Sequence, residues 1–398
     1  MILEETYAKS AELLKSLSTS GGLLASIENI DNYRRVWSRD GVVAGIASIL
    51  SGDAALIKTF KQTLFTLKKY QDRTGRVPSN VSVENGDVSY GTTVGRIDAT
   101  LWYVIGVCNL VLKTGDGAVW DDYKESVEKA VFYLECLELN GRGLIYIPQG
   151  GDWADEYINH GYVLYDELLY YLALRSFSLV TNNPVFISKK DYLKELILVN
   201  YFPDKKYLED GHVYHRAMYE SAMLHYNPPL PVTYFSNHSV RFHLDVFAVG
   251  LLLLSDILSA KKKEEVRAAA LVYCGVDLDG GSALSVLPAF HPVISEGDHN
   301  WEHLRSNHLY EFKNKPYHYH NGGRWPLVHG FFLASNLSQK KEEHLSSFAE
   351  VLAKDSYSFP EFYDGETGEA KGIKGLGFSA AAFLLAYEAA INGKKVFE

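Results

Sequence analysis

GRIDATLWYVIGVCNLVLKTG, residues 95–115, decides the fold class. From Thr100 to Leu112 the run is almost wholly apolar, and Lys113-Thr114-Gly115 reads as a helix stop. The segment that follows, Asp121 to Leu139, is amphipathic and closes on Asn140-Gly141. Helix, turn, helix, loop is the rhythm of nearly the whole chain. Apolar residues at helical spacing predict further helices at Leu3–Leu17, Asp53–Tyr70, Tyr162–Thr181, Lys189–Leu198 and Arg241–Ala260. The same spacing marks Lys263–Tyr273, Trp325–Ser335, Lys340–Ala353 and Ser379–Ala390. Strand signals are confined to Gly143–Pro148 and Val213–Tyr214. Strands and helices do not alternate, which argues against a Rossmann or (β/α)8 fold. A chain of 398 residues ordinarily divides into domains. A closed toroid of helix pairs escapes that rule, since twelve helices receive roughly 33 residues each, loops included. The expectation is an all-α protein, a single (α/α)6 barrel over residues 1–398, with the long loops gathered on one active-site face.

Composition narrows the function. A net charge of −10 argues against nucleic-acid and anionic-membrane partners, which need a basic face. The longest uncharged apolar run, Val246 to Leu254, is far short of a bilayer span. The N-terminal segment has no basic stretch leading into an apolar one, so a cytoplasmic location is the default. Three cysteines without a CxxC pair support neither a disulfide framework nor a thiolate zinc site. Asp298, His299 and His303 offer two imidazoles at i, i+4 without an evident third ligand, so no metal and no cofactor is expected. Dinucleotide, phosphate-loop and GxSxG motifs are absent. An aromatic content of 13% in an acidic chain suits sugar-stacking clefts as well as plain core packing. The expected partner is a small oligosaccharide, and association into a homo-oligomer stays open.

Five segments carry chemistry. Trp37-Ser38-Arg39-Asp40 precedes an apolar helix; Trp37 offers a stacking face, and Arg39 with Asp40 forms either a sugar-binding pair or a structural one. Arg96 and Asp98 stand at the mouth of the apolar helix, where Asp98 reads as a helix cap or as a carboxyl suited to protonating a leaving group. Gly150-Gly151-Asp152-Trp153-Ala154-Asp155 allows a tight turn that pushes Asp152 and Trp153 outward, with Asp155 beside them and Glu167 on the next helix. His320, Asn321 and Trp325 lie in Tyr317-His318-Tyr319-His320-Asn321-Gly322-Gly323-Arg324-Trp325-Pro326, where Pro326 starts a helix. Finally, Glu361 sits among aromatics in Phe359-Pro360-Glu361-Phe362-Tyr363-Asp364, with Tyr363 close by.

Taken in order, these segments resemble the alkaline/neutral invertase family of glycoside hydrolases, from about Glu4 to Ala390. The most specific match is Lys313 to Pro326, similar to the family's KNTPWSYHNGGSWP; Gly95 to Tyr103 is similar to its GRxxxVDSGLWW, and Phe359 to Gly365 to its WPEYYDG. The resemblance implies an (α/α)6 barrel, Asp98 as general acid and Glu361 as the second catalytic carboxylate. It implies sucrose or a related disaccharide as substrate. One departure bears on that: where the family reads IDRRMGI, this chain has the acidic, Trp-centred Gly151 to Glu156, which makes an α-glucosidase of the debranching type, acting on another glucoside, the alternative to a sucrose hydrolase. Two other readings stand beside the hydrolase, a sugar epimerase using histidines between His299 and His320, and a carbohydrate-binding barrel without catalysis.

Overall fold

The computed structural model describes residues 2–308, 310–335 and 337–398. Its helices are α1 (Ile2–Ser16), α2 (Ser38–Ser51), α3 (Ala54–Lys69), α4 (Ile97–Thr114), α5 (Gly117–Glu135), α6 (Leu164–Thr181) and α7 (Pro184–Tyr201). They continue as α8 (Arg216–His225), α9 (Val246–Leu254), α10 (Ala260–Cys274), α11 (Trp301–Ser306), α12 (Pro326–Ala334), α13 (Lys341–Lys354) and α14 (Gly377–Ala390).

Hydrophobic patterning sorts the helices into two rings. Helix α4 is buried at every position from Ile97 to Leu110, because apolar residues surround its whole circumference. Helix α5 buries only a stripe, including Val119, Tyr123, Val127, Val131 and Leu134. The largely buried helices α2, α4, α6, α9, α12 and α14 pack side by side in that order, and α14 returns to α2 to close the ring. The amphipathic helices α1, α3, α5, α7, α10 and α13 clad it. This is an (α/α)6 toroid. Helix α4 is apolar and long enough to cross a bilayer by composition, but here it forms the packed wall between α2 and α6.

Turn chemistry sets the direction of every hairpin. Each inner helix but α14, the last, passes to its outer partner through a short link, and α14 packs on α1. In the α4–α5 link Gly115 supplies the left-handed φ of 66° that a side chain would resist. In the α2–α3 link Asp53 Oδ1 accepts from Ala55 N at 3.0 Å and Leu56 N at 3.1 Å. The long loops run from outer helices back to inner ones, so all six inner N-termini open on one face. The positive ends of their macrodipoles converge there, which favours carboxylates in their first turns. Asp40, Asp98 and Asp166 occupy such positions, and Asp245 caps α9.

The helix predicted over Arg241–Ala260 is shorter than expected. Asp245 accepts from Ala248 N and starts α9 late, and Ser259 caps α10 separately by accepting from Lys262 N. Helices α8 and α11 escaped the sequence reading; both are short and weakly patterned. The expected ribbons reduce to an isolated bridge between Ile147 and Gly161, while Val213 and Tyr214 carry no strand and present carbonyls to Arg142. Among the described residues no sheet exceeds three strands.

Candidate active site

Two connected cavities lie at the inner-helix N-termini. The deeper is a chamber of about 50 Å³ lined by Tyr33, Trp37, Arg39, Asp40, Trp153, Asp155, Tyr319, His320, Trp325, Leu327, Glu361 and Phe378. Tyr33, Trp37, Asp155 and Tyr319 also line a cleft of about 740 Å³ that opens outward.

The first turns of α2 and α4 bring Arg39 to Asp98. Arg39 Nη1 donates to Asp98 Oδ2 at 2.9 Å, and its Nε lies 3.8 Å from Asp40 Oδ2. Asp98 is not the N-cap of α4. That position is Arg96, and Asp98 sits in the first turn with its carboxyl facing Arg39 and the Tyr165 hydroxyl, which donates at 3.4 Å. Asp98 is buried and lines neither cavity itself; Arg39 is its link to the chamber. Asp40 does line the chamber, and burial pushes its carboxyl up to about 6 despite the neighbouring guanidinium.

Glu361 is held from two sides. Tyr33 Oη donates to Glu361 Oε1 at 2.7 Å, and the Ile373 amide donates to Oε2 at 3.4 Å. Glu361 N in turn donates to Ile373 O at 2.8 Å. Gly372 allows this clamp, since a Cβ there would lie 2.3 Å from Glu361 Oε2. Burial raises the Glu361 carboxyl above its ordinary value, opposed by the Tyr33 bond and by Lys313. Both Glu361 carboxylate oxygens are thus hydrogen-bonded, while Asp98 faces the Arg39 guanidinium.

The Trp153 segment departs from expectation. Gly151 N closes a turn on Pro148 O at 2.8 Å, yet Asp152 and Trp153 point inward, at 1% and 2% exposure. Trp153 Nε1 donates to Asp245 Oδ2 at 3.0 Å, and its ring stacks on Phe290 at 5.7 Å. It also meets His320 and Trp325 edge-on at 5.0 and 5.6 Å. The indole is thus a wall of the chamber and a member of the core at once. Trp153→Ala is therefore expected to cost about 3–5 kcal/mol of stability. Trp153→Phe keeps the ring stack but strands Asp245 Oδ2, at about 1–3 kcal/mol. Denaturant unfolding of both variants checks the order.

Asp152, also expected to bind substrate, lines neither cavity; it accepts from Asn159 Nδ2 at 2.8 Å, leaves its Oδ1 unpartnered, and is pushed up to about 6 by burial. Asp155 pairs with Arg96 Nη2 and lines both cavities, so these two residues do form cleft wall. His320 is buried, stacks on Trp325 at 5.2 Å and is held neutral by desolvation.

Three expected binding residues serve the scaffold instead. Glu167 Oε1 accepts from Ile145 N at 3.0 Å and lines neither cavity. Asn321 satisfies both backbone groups of Ile294, at 2.8 Å each, because the 289–323 loop needs a pin where no strand supplies one. Tyr363 sits in a two-residue strand that exchanges backbone bonds with Arg324 at 2.8 Å, and its side chain reaches neither cavity. That exchange clamps the His320–Trp325 segment beside Glu361. His303, a sequence candidate for a metal ligand, meets Gln149 Oε1 at 2.9 Å.

Four site residues were missed: Tyr33, Tyr165, Tyr319 and Asp245. Tyr319 has a local signature only in the structure, a φ of 47° that costs an aromatic residue strain. It lines both cavities, and Lys313 Nζ lies 5.3 Å from its ring centroid.

The comparisons with known proteins agree with this architecture. A family profile described as alkaline and neutral invertase matches residues 287–391, the span holding His320, Trp325 and Glu361. The mitochondrial alkaline/neutral invertase C of Arabidopsis thaliana is 22% identical over 86% of this chain and 58% of its own length. The probable alkaline/neutral invertase F of the same plant is 22% identical over 90% and 81%. The chain thus spans about six tenths of the length of the first relatives, 58% and 61%. Among solved structures, a bacterial glucoamylase complexed with acarbose superposes with a TM-score of 0.68 at 16% identity, over 98% of this chain and 56% of that one. A GH63 mannosylglycerate hydrolase from Thermus thermophilus gives 0.61 at 14% identity, over 96% and 99%. At such identities the solved structures speak for the fold, which they share.

Proposed function

We propose that this chain is a glycoside hydrolase acting on a small oligosaccharide, with sucrose or a related disaccharide as first candidate. One observation carries the reading. Arg39, paired behind the wall with Asp98, meets Asp40 and the Tyr33-held Glu361 around one chamber walled by Trp153, Trp325 and His320. Aromatic walls take the apolar faces of a sugar ring, and ionised groups take its hydroxyls. On this reading Asp98 protonates the glycosidic oxygen while a sugar hydroxyl engages Arg39. Glu361 activates water or attacks the anomeric carbon, according to whether the two carboxyls stand at the longer or shorter glycosidase separation. Trp37, Arg96, Asp155 and Tyr319 bind the leaving unit.

A second reading of the acid has its own support: Asp40 lines the chamber, is raised to about 6, and has an unpartnered Oδ2. An epimerase is disfavoured, since the chamber lining includes one histidine, His320, and that ring is neutral. Three free thiols, with Cys136 exposed, suit the reducing cytosol we assign to the protein.

The test is a screen of disaccharides for released reducing sugar, with Asp98→Asn as the blank. Turnover of sucrose or a related disaccharide by the wild-type protein alone is the expected result. Binding without release from any glycoside would leave a carbohydrate-binding barrel.

A further inference from the structure

The chamber is small, about 50 Å³, and Trp153, His320, Trp325 and Phe378 are among its walls, so it takes no more than one terminal unit. The outer cleft is more than ten times larger and lies well inside the range of ordinary small-molecule pockets, roughly 300–1,000 Å³. A single leaving hexose would occupy only its inner end.

The cleft walls are built for more. Ser89, Thr92, Asn307 and His308 contribute hydroxyl, amide and imidazole groups to its lining. These are donors and acceptors that match sugar hydroxyls in any order. Two aromatic rings in the lining differ in their relation to the chamber: Trp37 lines both cavities and Tyr310 the cleft alone. Trp37 stands where chamber and cleft join, stacked on Tyr33 at 6.2 Å and pinned by Nε1 donating to Asn32 O at 3.0 Å. Tyr310 stands on the cleft lining at 89% exposure, so its ring contributes almost nothing to the core.

Charge defines the ligand class further. The cleft lining carries Asp31, Asp155, Glu156 and Glu311 against Arg96 and Lys313, and Arg96 is already paired with Asp155. Such a wall suits neither a phosphorylated nor a carboxylated sugar.

We infer that the substrate is a neutral oligosaccharide extending at least two units beyond the scissile bond, its distal unit stacked on Tyr310. The inference rests on the hydrolase reading and refines it: the protein trims chain ends, and a disaccharide fills its site only in part. A chamber this small also makes extension one-sided. Lengthening the substrate at the leaving end should help, and lengthening it at the chamber end should block.

The experiment measures kcat/KM on sucrose and on its two one-sugar extensions, raffinose at the glucose end and 1-kestose at the fructose end. Maltose, maltotriose and maltotetraose form a second series. The proteins are wild type, Tyr310→Ala and Tyr310→Trp, and calorimetric affinities are taken for the same sugars. In the series that reacts, one trisaccharide should exceed its disaccharide by roughly tenfold, the size of one aromatic contact. With sucrose, the opposite extension should be refused. Tyr310→Ala should erase the gain through KM while leaving the disaccharide unchanged, and Tyr310→Trp should keep it. Rates and affinities flat with length, or a Tyr310→Ala loss equal on short and long sugars, overturn the inference. Affinity rising with length and lost in Tyr310→Ala, without any sugar released, overturns the hydrolase reading and leaves the extended cleft standing.

Discussion

Asp98→Asn is expected to lower kcat/KM on an unactivated disaccharide by about 10²–10⁴-fold, the range a positioned general acid supplies. The amide keeps the size of the side chain and cannot give up a proton. The same change also breaks the 2.9 Å ion pair with Arg39, leaving Asp40 at 3.8 Å as that guanidinium's remaining anionic partner. Breaking a buried pair commonly costs about 3–5 kcal/mol, so lost activity could come from lost fold. A substrate with an activated leaving group, such as a glycosyl fluoride, separates the two. It departs without protonation, so an acid variant that remains folded should recover most of the wild-type rate on it. A protein that has merely unfolded should recover nothing. The parallel variant Asp40→Asn assigns the acid. If Asp40→Asn shows the leaving-group dependence and Asp98→Asn does not, the proton donor is Asp40, and Asp98 serves to hold Arg39.

The rings of the toroid were legible because burial writes itself into periodicity. Residues 97–114 are apolar all round and form an inner helix; residues 117–135 are apolar on one stripe and form an outer one. Site residues were legible only by type. Arg39, Asp40, Asp155, His320, Trp325 and Glu361 come together in the chamber, as their chemistry suggested. Glu167, Asn321 and Tyr363 have the same chemistry and are spent on backbone groups or packing. Nothing local distinguishes an asparagine that binds a sugar from one that satisfies both polar groups of Ile294. Trp153 was misread because two glycines signal a turn but not its direction; the direction came from Asp245, 92 residues away. Tyr33, Tyr165 and Tyr319 were lost among 27 tyrosines, and the bond from Tyr33 to Glu361 exists only once the ring has closed across 328 residues.

That bond sets up the second large effect. Glu361→Gln is expected to remove at least about 10²–10⁴-fold of kcat/KM, because the amide can neither accept a proton from water nor attack carbon. Tyr33→Phe should act more subtly, through the pH profile. The acid limb of kcat/KM reports the essential base of the free enzyme. Burial already lifts Glu361 above its ordinary 4.5, and the Tyr33 hydroxyl, donating at 2.7 Å, stabilises the ionised form and holds the carboxyl down. Removing that donor destabilises the charged form, so the acid limb should move to higher pH while the alkaline limb stays. A limb that moves down, or stays, would separate Glu361 from the base. Stability gives an independent reading of opposite form. A carboxyl whose folded value is raised binds its proton more tightly in the native state. Its contribution is complete below the unfolded value near 4.5 and is lost as pH rises through the folded one. The amide of the glutamine variant does not titrate and makes no such contribution at any pH. The melting temperature of Glu361→Gln, measured relative to wild type, should therefore rise as pH is raised from 4 towards 7, even as its activity remains absent throughout.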